Sequence, residues 1–374
     1  MKSRTLKNIL VPVDFSGTTG RAIETAQELG RRSGAAIHLV HVDDYYYPVG
    51  FIAPGAPVPL SMITFRNDNA ERIRKGLGAL CRKFRIPMAN CHVRNDHPVF
   101  NGVCTVARAI KADLIVLQTH DRTGIQRFFE GSHAERIVQH SPCPVLVARR
   151  RRRKAGRVPS LAAKTGESID TILVPVDFSQ CSFEALEYAI EFAERVAARL
   201  IVFHAVYINY AYTADGFAMA DLTVLIDRAR ADAEREMHKF VRLAKFRGVK
   251  FETVVTLASP GPDICGFAEK RAVDLIITAT HGRTGLKHLL LGSVAEHVVR
   301  HARQSVLVVP SHPETRLGRL TRETRSDQRL IAEPATRQTK PGRTATLTKR
   351  DRKLVENAFP ERRRINKFRE SHAR

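Results

Sequence analysis

Short apolar runs alternate with longer amphipathic stretches along most of the chain. The runs, such as ILVPV and DLIVL, are continuous rather than alternating, which is typical of strands covered by helices on both faces of a sheet. The stretches between them, such as GRAIETAQELGRRSG, carry apolar residues at helical spacing. The predicted strands are 8–13, 36–42, 89–94, 113–118, 143–148, 171–176, 199–206, 250–256, 274–279 and 305–309. This alternation predicts parallel βαβ units in a doubly wound arrangement.

The chain contains the same pattern twice. KNILVPVDFS at 7–16 recurs as DTILVPVDFS at 170–179, and ADLIVLQTHDRTG at 112–124 recurs as VDLIITATHGRTG at 273–285. Several blocks in one order at a nearly constant offset indicate a duplicated domain. The sequence therefore predicts an α/β fold of two doubly wound, mostly parallel five-stranded sheets in tandem. We refer to 1–148 as copy one and to 170–310 as copy two.

Positive charge is concentrated outside the two copies. The chain of 374 residues has a formal net charge of +23, of which the connector 149–169 carries +7 and the tail 311–374 carries +10. The cationic run Arg149–Lys154 is predicted to stay solvated or to meet polyanions. The tail is polar and rich in Arg, which predicts disorder. For these segments we expect a solubilising or partner-docking role, and the alternative is non-specific, salt-dependent contact with nucleic acid or the ribosome.

Other classes of protein are disfavoured by composition. No apolar run approaches the roughly 18–20 residues that cross a bilayer, so we expect no membrane partner. The six cysteines form no C-x-x-C pair, which disfavours a zinc or redox motif. They are predicted to be small buried residues in a reducing compartment, and the expected location is the cytoplasm.

Candidate ligand residues follow the predicted strands. Ligands of open α/β sheets bind beyond the carboxyl ends of the strands, where the first strand of each copy ends at Asp14 or Asp177. In copy two, Gly282 and Gly285 form a loop, and Gly292-Ser293 open the next helix. Two interpretations remain open for that helix start. Ser293 and Glu296 fit a capping box, whereas the unpaired N–H groups and the helix dipole favour a phosphate.

Several motifs of copy two follow one another in a fixed order: VPVDFS, THGRTGL, LLGS with A and E after it, and a closing apolar strand. In this order they resemble the universal stress protein family. The resemblance covers about 6–148 and 169–310. It implies a Rossmann-like domain of the adenine-nucleotide-binding type. Members of this kind bind ATP through the spacing Gly-x2-Gly-x9-Gly-Ser/Thr, and other members lack that spacing and bind no nucleotide.

Copy two departs from this spacing only at its first position, where Ala279 replaces glycine. An alanine is tolerated there if φ is negative and is strained if φ is positive. The resemblance implies Asp177 on the adenine side and the loop and helix start around the phosphates. The implied nucleotide contacts are Pro175, Asp177, Ala279, His281, Gly282, Arg283, Gly285, Gly292, Ser293 and Val294. For Asp177 and His281 a purely structural role in the turn remains the alternative.

Copy one has lost both early glycines, since the equivalent positions are Gln118 and Asp121. A carboxylate about 5 Å from a phosphate costs about 3 kcal/mol per charge pair at an effective dielectric near 20. That exceeds the ~0.3–2 kcal/mol contributed by a helix dipole, so ATP is predicted chiefly in copy two. The weaker equivalents in copy one are Asp14, Arg122, Gly131 and Ser132.

The sequence thus predicts a stress-response ATP-binding protein that signals through its bound state. P-loop, nucleophile-elbow and G-x-G-x-x-G motifs are absent from the sequence, so no catalytic residue is assigned, although slow ATP hydrolysis stays open. No resident metal is assigned, and Mg²⁺ or Mn²⁺ is expected to arrive with the phosphates. The alternative is a nucleic-acid- or ribosome-associated adaptor that acts through the basic segments, with the paired domains as scaffold.

The last strand of each copy is predicted to lie at a sheet edge, where open N–H and C=O groups invite pairing. Proteins similar to this one dimerise through that strand. A tandem chain can form the contact internally, with Val145–Val147 paired against Val306–Val308. A homodimer of chains is a further possibility.

Overall fold

A computed structural model of the chain describes residues 6–31, 33–44, 60–118, 133–149, 169–207, 219–282 and 291–310. Side chains at 60–66 and 219–222 are not part of that description. The predictions made for 150–168 and for the tail 311–374 lie outside the described residues. Within them the fold is α/β, as predicted.

The described strands form a ten-stranded sheet in the order β3-β2-β1-β4-β5-β10-β9-β6-β7-β8. They are β1 Asn8–Pro12, β2 Ala36–Asp43, β3 Cys91–Asn95, β4 Leu114–Gln118, β5 Val145–Ala148, β6 Thr171–Pro175, β7 Arg199–Val206, β8 Phe251–Leu257, β9 Leu275–Ala279 and β10 Ser305–Val309. Each predicted apolar run therefore forms a strand. Continuous apolar runs mark the inner strands, such as β1, β4, β6 and β9, whereas the edge strands β3 and β8 are partly exposed and contain polar residues.

Helices connect the strands and cover both faces of the sheet. They are α1 Thr19–Arg31, α2 Leu60–Phe84, α3 Val99–Ala109, α4 His133–His140, α5 Gln180–Val196, α6 Met219–Leu243, α7 Pro262–Lys270 and α8 Ser293–His301, with a 3₁₀ turn at Met88–Asn90. None of the helices within the described ranges is long and apolar enough to span a membrane.

The two copies meet at an antiparallel seam between β5 and β10. Val306 lies opposite Val147, Leu307 opposite Leu146, and Val308 opposite Val145. The other neighbouring strands described are parallel. The predicted intramolecular pairing is therefore confirmed, and it joins the two five-stranded halves into one sheet. A homodimer of chains stays a prediction.

The core consists of one apolar layer on each face of this sheet. Neighbouring residues of a strand enter opposite layers, so that Ile9 and Ile172 pack on one face while Leu10 and Leu173 pack on the other. All four side chains are fully buried. Each layer contains residues of both copies, which means that the halves share their hydrophobic stabilisation.

Arg149 corrects one sequence prediction. Its guanidinium donates hydrogen bonds to the backbone carbonyls of Val299 and Ala302, and its backbone N–H donates to Ser305 Oγ at 3.1 Å. Burial lowers the pKa of Arg149 to about 10. The prediction that this residue stays solvated is wrong, because the last carbonyls of α8 need donors and β5 ends beside them.

The six cysteines are free thiols. Burial is confirmed for four of them, Cys81, Cys104, Cys143 and Cys265, whereas Cys91 and Cys181 are only partly buried. Burial raises the pKa of Cys143 to about 12. A thiol of that kind is almost entirely protonated near neutral pH and is chemically inert.

Candidate functional site

A cleft of about 290 Å³ lies beyond the carboxyl ends of β6, β7 and β9. This is the edge of the sheet at which the sequence predicts a ligand. The predicted contacts that line it are Pro175, Asp177, Ala279, His281, Gly282, Gly292, Ser293 and Val294. The structure thus brings eight of the predicted residues together. Arg283 and Gly285 lie outside the described residues.

Asp177 fixes the turn that follows β6. Its Oδ1 accepts a hydrogen bond from the Ser179 backbone N–H at 3.0 Å and another from Ser179 Oγ at 2.5 Å. Ser179 is in turn the N-cap of α5, since its Oγ accepts from the Ser182 N–H at 3.2 Å. The structural alternative for Asp177 is therefore present in the molecule.

The other oxygen of Asp177 faces Gly282. A Cβ built on Gly282 would lie 2.6 Å from Asp177 Oδ2, which is closer than two such atoms can pack. Gly282 is outside the left-handed region, so the requirement for glycine comes from space rather than from φ. The carboxyl ends of β6 and β9 meet at this point.

Gly292 closes the other end of the loop. Its N–H donates to the Thr280 carbonyl at 2.8 Å, and a Cβ on Gly292 would lie 3.3 Å from the same oxygen. The end of the loop is thereby held against its beginning, which places the start of α8 beside β9.

The first turn of α8 presents donors to the cleft. Its first internal hydrogen bond runs from the Glu296 N–H to the Gly292 carbonyl at 2.8 Å. The N–H groups of Ser293, Val294 and Ala295 precede that bond and have no acceptor within the helix. All three residues line the cleft. The positive end of the helix dipole lies at the same place, and the combination suits an anion.

The predicted capping box is wrong. Gly292 is the N-cap of α8, without a side-chain capping hydrogen bond, and Ser293 is already the first helical residue. The Glu296 carboxylate instead forms an ion pair with Arg300, with 2.9 Å between Oε1 and Nη2. The serine stands one position too late for its hydroxyl to cap, and the close approach to the Thr280 carbonyl favours glycine at the N-cap. Ser132, the matching residue of copy one, lies outside the described residues.

Ala279 meets the condition for tolerance. It is the last residue of β9, pairs with Val309 in parallel register and is 6% exposed. Its φ lies outside the left-handed region, so the methyl group adds no backbone strain. The methyl group also joins the apolar layer on one face of the sheet.

His281 is anchored to its neighbour in the chain. Its Nδ1 lies 2.9 Å from Thr280 Oγ1, and the ring is half-buried at the cleft. Thr280 itself is buried. This contact holds the ring at the end of β9. It is consistent both with a structural role in the turn and with contact with a ligand.

Sequence reasoning missed His204 at the end of β7. Its Nδ1 donates to the Val176 carbonyl at 2.7 Å, and its ring stacks on Phe178 at 4.2 Å. His41 makes the matching contacts in copy one. Its Nδ1 donates to the Val13 carbonyl at 2.8 Å, and its ring contacts the Phe15 ring. Both phenylalanines have left-handed φ, 59° and 63°. His41 and His204 are separated by the offset of the VPVDFS blocks, so the repeat itself contained the signal.

In copy one the structure describes only Asp14 among the predicted contacts. It is exposed, and its Oδ1 accepts from the Ser16 N–H at 2.9 Å and from Thr19 Oγ1 at 2.8 Å. Partial desolvation of its carboxylate by the surrounding turn acts to raise the pKa of Asp14, but these hydrogen bonds outweigh it and hold the pKa below its ordinary value. The other predicted contacts, Arg122, Gly131 and Ser132, lie outside the described residues.

The described ranges contain no group of three or more His, Cys, Asp or Glu residues that could hold a metal ion. The arrival of Mg²⁺ or Mn²⁺ with a ligand's phosphates stays a prediction.

Comparisons with known proteins agree with this architecture. Universal stress protein MJ0531 of Methanocaldococcus jannaschii is 34% identical over 148 residues, which is 39% of this chain and 85% of that protein. Universal stress protein MJ0577 of the same organism is 30% identical over 150 residues, 37% of this chain and 93% of that protein.

Two solved structures show the same fold over both copies. A universal stress protein from Archaeoglobus fulgidus matches with a TM-score of 0.50 and 18% identity, over 82% of this chain and 97% of that one. A functionally unknown protein from Pseudomonas aeruginosa matches with a TM-score of 0.51 and 16% identity, over 86% of this chain and 98% of that one.

The family comparison covers most of both copies. The sequence profile described as "Universal stress protein family" matches residues 5–149 and 168–310, which are the two halves joined at the β5–β10 seam. The chain therefore belongs to the universal stress protein family.

Proposed function

We propose that the chain is a stress-related nucleotide-binding module that holds ATP chiefly in the cleft of copy two. The observation that carries the proposal is the close approach of Asp177, Gly282 and Gly292 around that cleft. Glycine at 282 avoids a clash with Asp177, and glycine at 292 fits closely against the Thr280 carbonyl, which would leave room for a ligand to reach the start of α8. Such backbone approach is the usual reason for glycines beside a phosphate.

The residues present fit the two ends of a nucleotide. The first-turn N–H groups of α8, at Ser293, Val294 and Ala295, would hold the phosphates. Arg283, outside the described residues, would add a positive charge there. Pro175 and Asp177, at the end of β6 across the cleft, would hold the adenine side. Mg²⁺ or Mn²⁺ would accompany the phosphates.

The preference for copy two rests on the position of Gly282. In copy one the equivalent residue is Asp121. In copy two a Cβ at that position would meet the carboxylate of Asp177, so in copy one a second carboxylate would compete with Asp14 for the same space. The like charges would repel each other, and both would repel a phosphate.

The proposed output is binding rather than turnover. We infer that the ATP-bound state is what a downstream partner recognises, and we assign no catalytic residue. We also place the protein in the cytoplasm, which its six free cysteines support.

Calorimetric titration with ATP tests the proposal. Gly292→Asp puts a carboxylate at the N-cap beside the first-turn donors and should lower the affinity by about two decades. Gly266→Asp is a matched control, because that position in α7 has open space around it, and it should bind like the wild type. Unchanged affinity in Gly292→Asp would show that the site is assigned to the wrong place.

A second candidate function rests on the charge distribution. The segments 149–169 and 311–374 together carry +17 of the net +23, which favours a nucleic-acid- or ribosome-associated adaptor. Deletion of 311–374 separates the two candidates. ATP binding should survive the deletion, whereas retention on nucleic acid at low salt should fall if the adaptor function is real.

A further inference from the structure

Two thiols of copy one touch each other. Cys81 Sγ lies 2.8 Å from Cys91 Sγ, against about 2.05 Å in a formed disulfide. Cys81 belongs to the last turn of α2 and is 7% exposed, while Cys91 opens the edge strand β3 and is partly buried. Only a small movement of either side chain separates this contact from a covalent bond.

The backbone holds both residues in place. The Ile86 N–H donates to the Cys81 carbonyl at 3.0 Å, which ends α2. The Asn90 side chain donates to the Ile37 carbonyl at 3.2 Å, and Cys91 pairs with Leu39 in the sheet. These hydrogen bonds fix the backbone around both cysteines, and none of them involves a cysteine side chain. The two sulfur atoms are therefore held close together by the backbone.

The contact is a property of copy one alone. By strand register the equivalent of Cys91 in copy two is Thr253: Leu39 pairs with Cys91, and Val202, which corresponds to Leu39, pairs with Thr253. Neither α6 nor β8 contains a cysteine. The shared fold therefore does not need a thiol pair at this position.

We propose that Cys81 and Cys91 form a thiol–disulfide site that reacts with low-molecular-weight disulfides. The more exposed Cys91 attacks the small disulfide as its thiolate, forms a mixed disulfide and releases one small thiol. Cys81 then attacks the Cys91 sulfur, loses its proton and displaces the second small thiol. The two cysteines are oxidised to one disulfide, and the small disulfide is reduced to two thiols.

The electrostatic environment sets the rate of this chemistry. Burial, followed by the hydrogen bond with Cys81, raises the pKa of Cys91 to about 12. The thiolate is therefore scarce at neutral pH, and the first step should accelerate about tenfold per pH unit. The disulfide is therefore slow to form. Reduction is slow as well, because a thiol of high pKa such as Cys91 is a poor leaving group.

The disulfide would tie the last turn of α2 to the beginning of the edge strand β3. A Cβ on Gly76 of α2 would lie 2.7 Å from the Phe15 ring, so helix and ring are in tight contact. Phe15 follows Asp14, and its ring lies 4.6 Å from that of His41. Oxidation would thus restrain the helix that supports this turn, independently of any nucleotide in copy two.

Peptide mapping of the full chain after exposure to glutathione disulfide tests the site. Trypsin cleaves after Arg82, Lys83 and Arg85, so the reduced protein yields the two cysteines on separate peptides, 76–82 and 86–94. The oxidised wild type should yield these peptides linked, and the intact mass should fall by two hydrogen atoms. The rate should rise about tenfold between about pH 7 and about pH 8.

Cys81→Ser removes the second step and should accumulate glutathione on Cys91, whereas Cys181→Ser, in copy two, should form the linked peptide as the wild type does. A wild type that retains glutathione on Cys91, or that links another pair such as Cys104 and Cys143, would overturn the proposal. Should Cys81→Ser not fold, the wild-type peptide map and its pH dependence decide alone. A pH-independent rate would overturn the assignment of Cys91 as the attacking group.

Discussion

Replacing Gly282 with aspartate should convert the site of copy two into the arrangement that copy one carries at Asp121. The new side chain would begin 2.6 Å from Asp177 Oδ2. Its carboxylate therefore cannot avoid the neighbourhood of Asp177, whichever rotamer it adopts. We expect Gly282→Asp to abolish most of the ATP affinity of the chain.

The magnitude has a steric part and an electrostatic part. Forcing atoms into a filled space costs about 1–3 kcal/mol. A carboxylate about 5 Å from a phosphate costs about 3 kcal/mol per charge pair at an effective dielectric near 20, which is about two decades of affinity. Since the site is open to solvent, salt should screen part of this second contribution.

Gly282→Asn separates the two parts, because asparagine has the shape of aspartate without its charge. Calorimetric titration with ATP should show a modest loss for Gly282→Asn and a further loss of about a hundredfold for Gly282→Asp. The difference between the variants should shrink as ionic strength rises. Circular dichroism and thermal denaturation check that both variants fold.

Equal affinities for the Asp and Asn variants at low salt would refute the electrostatic reasoning. Wild-type affinity in both would go further, because it would show that the nucleotide does not approach Gly282. In that case the explanation for an unequal pair of domains would also fail.

Three further predictions concern stability, measured as the free energy of unfolding in urea. Arg149→Ala should lower it by about 1.5–3 kcal/mol, because the carbonyls that end α8 lose a charged donor; Arg149→Lys should restore only part of it. Leu307→Ala should cost about 2–5 kcal/mol, since that side chain is fully buried at the seam. His38 Nδ1 lies 3.2 Å from His92 Nε2. Burial lowers the pKa of both rings, and repulsion from His92 lowers the pKa of His38 further. Protonation thus favours the unfolded chain, so stability should fall as pH drops below about 6.5, and His92→Gln should lessen the fall.

The inner strands of the sheet were predictable from the sequence because burial on both faces leaves continuous apolar runs. The seam was predictable for a related reason, since the strands 145–148 and 306–309 had no partner on one side within their own copy. Both signals are local in the sequence or repeat at the offset between the copies, so a single sequence contains them.

The details of the site were less accessible. The capping box at Ser293 failed because a motif of residue types cannot show which residue adopts the N-cap conformation. Arg149 looked like the first member of a solvated run, and only the seam reveals the carbonyls beside it. The contact between Cys81 and Cys91 depends on where α2 ends and β3 begins, which no periodicity specifies. His204 could have been found, because it recurs with His41 at the offset of the motif blocks.

We expect one nucleotide to bind per chain, in copy two. Native mass spectrometry of the purified full chain, titrated with ATP and Mg²⁺, measures that number directly. We expect a single bound ATP in the wild type, and its loss in Gly282→Asp. Two bound ATP molecules per chain would contradict the preference for copy two, and no binding at any ATP concentration would contradict the nucleotide site itself.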